Sequence, residues 1–237
     1  MAFDGLTLVV PDKADIERDA VCQSWQTHGG SVFRIGRFWD PPALDRARVR
    51  VYGPDTFCLV LAQKLGLHLV SPADNLLAGL DAELLKRDLR EMSLGEAIGL
   101  SYPQFVKPVT PKAFRATVYG SPADLEIECR GLETATRVIV SEPVGIVAEA
   151  RCFVLDASVA TCAIYEGDAS VVEATAFGRK IASIVRLPNT CVVDVVLIRQ
   201  RGWAVLEFNS TWGAGLNGCD PGCVVQCLAH ATLSHSQ

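Results

Sequence analysis

Apolar residues along the chain fall into short runs separated by polar turns, and the period of each run predicts an element. Residues 6–10 (LTLVV) predict a strand, and residues 12–28 a helix with Val21 and Trp25 four apart on one face. Residues 31–35 predict a second strand, Asp40-Pro41-Pro42 a loop, and residues 48–52 a third strand. Gly53-Pro54-Asp55 then leads into a helix through Leu65, and a short strand follows at 68–70. Strands alternating with helices imply a parallel α/β sheet. From 71 to 100 the pattern turns helical, since Leu76, Leu77, Leu80, Leu84 and Leu85 recur at helical spacing with Asp74 or Asp81 as caps. That segment is expected to form a helical bridge.

From Phe105 onward the pattern becomes β. Residues 105–109 (FVKPV), 114–119 (FRATVY) and 137–140 (RVIV) predict strands separated by polar links. Two more are predicted at 151–155 and 159–165, around a turn at Asp156-Ala157-Ser158. Residues 170–186 predict a helix with Ala176, Ile181 and Ile184 inward. The apolar runs 191–198 and 203–208, joined by Arg199-Gln200-Arg201-Gly202, read as two antiparallel strands and a tight hairpin. The fold class expected is α/β and α+β, with an N-terminal parallel unit followed by antiparallel sheets.

That last hairpin carries the candidate chemistry. Asp194 lies on its outgoing strand, and Glu207 and Asn209, two apart, point the same way from its returning one. Folding back at 200–202 brings residue 194 roughly opposite residue 207 or 208. Two carboxylates and an amide oxygen then converge, an all-oxygen set that suits magnesium with its water and phosphate ligands. The plainer reading makes Glu207 a sheet-end surface residue and Asp194 an edge cap. Against it stands the cost of an unpaired acid amid apolar strands. Lys107, inside an apolar strand, suits a phosphate oxygen as a point charge; its plainer reading is a snorkelling edge lysine. Lys112 and Arg115 add positive charge nearby, and His28 and His68 stand alone, as structural histidines do.

Composition narrows the class. With 237 residues, 49% hydrophobic and 21% charged, the chain has ample core for one large domain or two small ones. A net charge of −5 argues against general nucleic-acid binding. No apolar run reaches about 18 residues, so no membrane span is expected. The opening MAFDGLTLVVPDKAD lacks the basic region of a signal peptide and reads as a first strand. Nine cysteines, odd in number and mostly in apolar surroundings, read as reduced thiols of a cytoplasmic protein. Cys219, Cys223 and Cys227 are spaced four apart, but no nearby His or CxxC pair supports zinc. No GxGxxG follows the first strand, which argues against a Rossmann dinucleotide site.

Taken in order, several elements resemble the ATP-grasp superfamily of ATP-dependent carboxylate–amine ligases. They are the strand lysine in FVKP, Glu142 with Glu149 seven residues on, Glu-Ala-Arg at 149–151, and Asp194 followed by Glu207-Phe208-Asn209. The spacing of thirteen and then two in the last set is similar to that of D-alanine–D-alanine ligases. Glu-Ala-Arg is more similar to ribosomal-protein glutamate ligases, which carry Asp-Ile-Arg there. Lys-Ala-Phe shortly after FVKP, and Asn-Ser-Thr-Trp-Gly-Ala-Gly-Leu after Glu207, resemble small uncharacterised ATP-grasp families. The resemblance covers residues 70–237 and implies an ATP-grasp domain at 101–237, with a central sheet at 101–148 and a C-terminal sheet and metal site at 149–237. Residues 1–70 fit the α/β domain that precedes this fold, and 71–100 the bridge.

The resemblance also implies roles. Lys107 would hold the α- and β-phosphates of ATP. Glu142 and the backbone of Val144 would meet the adenine edge, because Pro143 has no N–H to give. Glu149 would accept from the ribose hydroxyls, and Asp194, Glu207 and Asn209 would bind Mg2+ bridging the phosphates. Arg151 would stabilise the transferred phosphoryl group and the acyl phosphate. Ser210, Trp212 and Gly213 would shape the acceptor pocket. Two features depart from the pattern. The link Thr110-Pro111-Lys112-Ala113 lacks the usual glycines, so Lys112 is expected to contact phosphate in their place. Either Lys86 or Arg87 stands for the earlier nucleotide lysine. The implied activity is a ligase joining a small-molecule or peptide carboxylate to an amine, with a phosphotransferase and a non-catalytic nucleotide-binding protein as alternatives. Oligomeric state is open, a homodimer being one option.

Overall fold

The computed structural model describes residues 2–110 and 113–234. In chain order come β1 (Thr7–Pro11), α1 (Ile16–Thr27), β2 (Ser31–Ile35), β3 (Val49–Val51), α2 (Asp55–Leu65) and β4 (Leu67–Leu69). They are followed by α3 (Ala82–Leu85), β5 (Leu89–Ser93), α4 (Leu94–Ile98), β6 (Gln104–Pro108), β7 (Thr117–Tyr119), α5 (Pro122–Glu128) and β8 (Arg137–Ser141). Last come β9 (Ile146–Leu155), β10 (Ser158–Gly167), α6 (Val171–Ile184), β11 (Thr190–Ile198), β12 (Gly202–Asn209), α7 (Pro221–Leu228) and β13 (Thr232–Ser234). These elements form two compact units, one of Met1–Pro72, Ala148–Val195 and Glu207–Gln237, the other of Ala73–Val147 and Val196–Leu206. The expected division at residues 70 and 100 runs in chain order. The packing does not, because the N-terminal segment shares a unit with the last third of the chain.

In the first unit β1 lies between β2 and β3, both parallel to it, with Thr7 opposite Ser31 on one side and Val49 on the other. Leu8, Val9 and Val10 are fully buried there, each worth about 1.5–3 kcal/mol of transfer free energy. Helix α1 starts at Ile16, four residues later than the apolar pattern predicts, because the Asp15 carboxylate accepts from the Arg18 N–H at 2.9 Å and caps it there. Its buried Trp25 stacks on Phe3 with ring centroids 4.3 Å apart. The expected fourth strand, β4, does not join this sheet; it pairs antiparallel with β13, Leu69 opposite Thr232.

The second sheet of this unit has the order β10-β9-β11-β12, with Cys162 of β10 opposite Cys152 of β9. Helix α6, capped by Ser170, packs on β10. The approach is close at Gly178, where a Cβ would come within 2.7 Å of the buried Cys152 sulfur. Gly178→Ala is therefore expected to destabilise by about 1–3 kcal/mol through overpacking. Denaturant unfolding that gave an unchanged midpoint would refute this packing.

The second unit holds a four-stranded antiparallel sheet of order β5-β8-β6-β7, with Leu89 opposite Ser141, Val106 opposite Val140 and Phe105 opposite Val118. Leu94, Val106, Leu125, Val138 and Val140 fill its core. Residues 71–100, expected as a helical bridge, contain only the short α3 and α4 around a strand. Lys86 ends α3 in the left-handed region (φ 53°), β5 then pairs along β8, and Ser93 with Glu96 forms a capping box that starts α4. Pairing in the sheet overrides the local leucine period. All nine cysteines are free thiols, and no described helix is long and apolar enough to cross a membrane.

Candidate active site

Strand β9 turns Ala148, Ala150 and Cys152 into the core, which leaves Glu149 and Arg151 half-buried on the other face. On neighbouring β11, almost every side chain is buried, and Asp194, 1% exposed between Val193 and Val195, is the one acid. A strand buried on both faces reads as a continuous apolar run, so this acid must be paired. Arg151 pairs it with a fork: Nε donates to Oδ1 at 2.9 Å and Nη2 to Oδ2 at 2.7 Å. The guanidinium also donates through Nη1 to the Gly215 carbonyl at 2.9 Å and lies 5.7 Å from the Tyr165 ring centroid. From β12, the Asn209 amide donates to Asp194 Oδ2 at 2.9 Å and to Glu207 Oε1 at 3.0 Å. Tyr165 donates to Glu149 Oε2 at 2.5 Å. The structure thus brings Glu149, Arg151, Asp194, Glu207 and Asn209 together.

The cluster's field is negative. Burial pushes the Glu149 carboxyl up; the Tyr165 hydrogen bond opposes this, while the negative charges of Glu166, Asp194 and Glu207 add to it. Burial also pushes Asp194 up, and its bridge to Arg151 only partly offsets the rise. At Arg151 burial works against the charge and the bridge outweighs it, so the guanidinium stays firmly charged. The two ends of the bridge balance differently because Asp194 also feels Glu207. Two carboxylates sheltered from water and sharing one amide donor call for a further cation.

The donors fit magnesium. They are oxygen ligands without sulfur or imidazole, and Asn209 offers its Oδ1 once the amide turns over. Among the described residues no group of three or more His, Cys, Asp or Glu is placed to hold a metal alone. That accords with an ion that takes one or two carboxylates and completes its shell with water and phosphate.

A raised carboxyl stabilises the fold fully below the ordinary carboxylate range and loses that contribution as pH rises through its folded value. Glu149→Gln removes the penalised charge and is expected to raise the melting temperature at pH 7 in magnesium-free buffer. The gain should fade below about pH 4, where the unfolded carboxyl is itself protonated. Equal melting temperatures at pH 7 would remove burial as the dominant influence on Glu149.

The remaining expected contacts lie in the second unit. Lys107 is half-buried on β6, between buried Val106 and Pro108 and opposite Ile139. Glu142 is held by Arg201, whose Nη1 donates at 2.6 Å, and by the Asp88 N–H at 3.0 Å; this pairing holds its carboxyl below the usual range. Val144 packs against Val196, Ile198 and Ala204. A cavity of about 490 Å3 is lined by Lys86, Arg87, Glu142 and Arg201 among others, a size usual for small-molecule sites. Arg87 donates to the carbonyls of Leu85, Val205 and Leu206, and burial pulls its guanidinium down to about 10. Lys112 lies outside the described residues.

Of the expected acceptor residues, Ser210 meets the Ser71 hydroxyl at 3.0 Å. Trp212 is a core residue, 6% exposed, whose indole N–H donates to the Val70 carbonyl at 3.1 Å. Gly213 lines a cavity. Tyr165 and Arg201 are absent from the sequence-based candidates. The turn at 156–158 offers a signal for Tyr165, since the hairpin it closes sets Ala163 opposite Arg151 and Tyr165 two residues on, on the same face.

Solved structures share this architecture. The RimK domain protein ATP-grasp from Sphaerobacter thermophilus DSM 20745 matches with TM-score 0.63 and 16% identity, over 94% of this chain and 100% of that one. D-cycloserine synthetase DcsG matches with TM-score 0.60 and 17% identity, over 95% and 99%. The ATP-grasp ligase PsnB, complexed with minimal precursor, Mg and ADP, matches with TM-score 0.53 and 17% identity, over 97% of each chain. At these identities the likeness shows the fold. No curated protein matches the chain in sequence. A family model described as an ATP-grasp domain, the second family of its clade, matches residues 84–227, more than half of the chain, and the chain belongs to that ATP-grasp family.

Proposed function

We propose that this protein is an ATP-dependent ligase that joins a carboxylate to an amine through an acyl phosphate. The observation that carries the reading is the cluster of Arg151, Asp194, Glu207 and Asn209, in which a forked ion pair and a shared amide hold two carboxylates beside one guanidinium. The fold relatives add support, PsnB being a ligase complexed with Mg and ADP.

The γ-phosphorus of ATP gains a bond to the substrate carboxylate oxygen and loses its bond to the bridging oxygen of ADP. The amine nitrogen then attacks the acyl carbon, phosphate leaves, and the nitrogen gives up a proton. Such transfers ask the protein for position and charge rather than a nucleophile. Three of the five guanidinium N–H groups of Arg151 are engaged, leaving two for phosphoryl oxygens. Asp194 fixes the plane of that guanidinium. Magnesium, held by Asp194, Glu207 and Asn209, would supply neutralisation of the phosphate charge. Glu149, sharing the field of Asp194 and Glu207, is assigned to deepen the cation site rather than to the ribose. Lys107, Glu142 and the Val144 backbone keep their nucleotide roles. Arg87, buried with carbonyl partners only, is preferred over Lys86 as the further phosphate contact.

Hydroxylamine with a panel of amino acids and small carboxylic acids tests this without knowledge of the natural amine. Magnesium-dependent formation of hydroxamate and ADP in equal amounts is expected. A phosphorylated hydroxyl product would move the reading to phosphotransfer, and no ADP with any acid would refute it.

A further inference from the structure

A second cavity, of about 150 Å3, opens at the head of α1 in the first unit, walled by Asp15, Glu17, Arg18, Tyr52 and the Gly213–Gly215 segment. Its chemistry is mixed in sign. Glu17 accepts from the backbone N–H groups of Leu216 and Asn217, both at 2.9 Å, and so ties the glycine-rich segment to α1. A Cβ at Gly215 would come within 2.7 Å of Glu17 Oε2, so glycine is required for this approach. Arg18, its side chain 12% exposed, donates to the Lys13 carbonyl and lies 3.7 Å from Asp15, which leaves N–H groups over.

Tyr52 supplies the second observation. It is 4% exposed, and among the described residues nothing hydrogen-bonds its hydroxyl. Burial, then the Glu17 charge, push the phenol up, with Arg18 pulling the other way and Asp15 adding to the rise; the hydroxyl therefore faces these groups. A buried hydroxyl without a partner costs free energy that a ligand would recover.

We propose that this cavity binds a small amino acid as the zwitterion, its carboxylate on Arg18 and the Tyr52 hydroxyl and its ammonium on Asp15 and Glu17. Two acids exclude a simple anion, and the guanidinium excludes a bare metal cation. The volume sets the size, since an apolar cavity of about 150 Å3 takes six heavy atoms as benzene, the count of alanine. The Gly215 carbonyl, on the cavity wall, accepts from Arg151, so one peptide separates the bound amino acid from the guanidinium of the candidate active site. That this amino acid is one of the two ligase substrates rests on the proposed function; its binding does not.

Binding of DL-alanine to the full chain without nucleotide, measured by calorimetry, tests the proposal against ethylamine and propionate, which each lack one charge. DL-alanine should bind at least about tenfold more tightly than either, and Tyr52→Phe should weaken it about threefold to tenfold. The melting temperature should hold or rise, because Tyr52→Phe breaks no hydrogen bond within the protein. Arg18→Lys, which keeps the charge but not the fork, should weaken alanine more than ethylamine. Alanine no tighter than its two halves, or unaffected by Tyr52→Phe, would overturn the site. Alanine binding by a protein that binds no ATP analogue would leave this site standing and refute the ligase reading instead.

Discussion

Arg151→Ala is expected to cost the fold about 3–5 kcal/mol, because it strands the Asp194 carboxylate in the core without its partner. The loss should shrink at acid pH. Burial already pushes Asp194 up, so protonation relieves the orphaned charge there. Replacing both partners by apolar residues, Arg151→Met with Asp194→Leu, should restore most of the stability, since a buried ion pair gains little over well-packed side chains. Neither variant should release ADP. Urea unfolding at two pH values separates these arms. A single variant as stable as the parent at pH 7 would contradict the forked bridge.

Glu207→Gln is expected to act on activity and spare the fold. Glu207 is half-buried, and glutamine keeps its shape and its contact with the Asn209 amide. What goes is one of the two carboxylate charges offered to the cation, so magnesium-dependent ADP release should fall by about 100-fold or more, roughly 2.7 kcal/mol. Steady-state assays over a magnesium range, alongside melting curves, check this. Full activity at saturating magnesium would remove Glu207 from the metal ligands.

The hairpin of β11 and β12 is legible in the sequence because Asp194 is the lone acid in a run that is otherwise apolar, and because period 2 puts Glu207 and Asn209 on one face. The β9–β10 hairpin is legible from its turn, where Asp156 and Ala157 do adopt positive φ. Other features are hidden by range. That Arg151 is spent largely on Asp194 depends on β9 and β11 being neighbours, which no local pattern states. The tie from Glu17 to Leu216 and Asn217 joins nearly opposite ends of the chain. Strand β5 reads as helix because its leucines continue a helical period that only pairing with β8 breaks. Helix α5 escapes the apolar pattern although Ser121 and Pro122 carry its start signal, a serine cap followed by proline in the first turn.

The central claim is that Asp194, Glu207 and Asn209 hold the cation that ATP needs. Calorimetric titration of a non-hydrolysable ATP analogue, with and without magnesium, into the parent and Glu207→Gln tests it most directly. The account predicts binding by the parent that requires magnesium and is at least about tenfold weaker, 1.4 kcal/mol, in the variant. Analogue binding of equal strength with and without magnesium, or no binding by the parent at all, would contradict it.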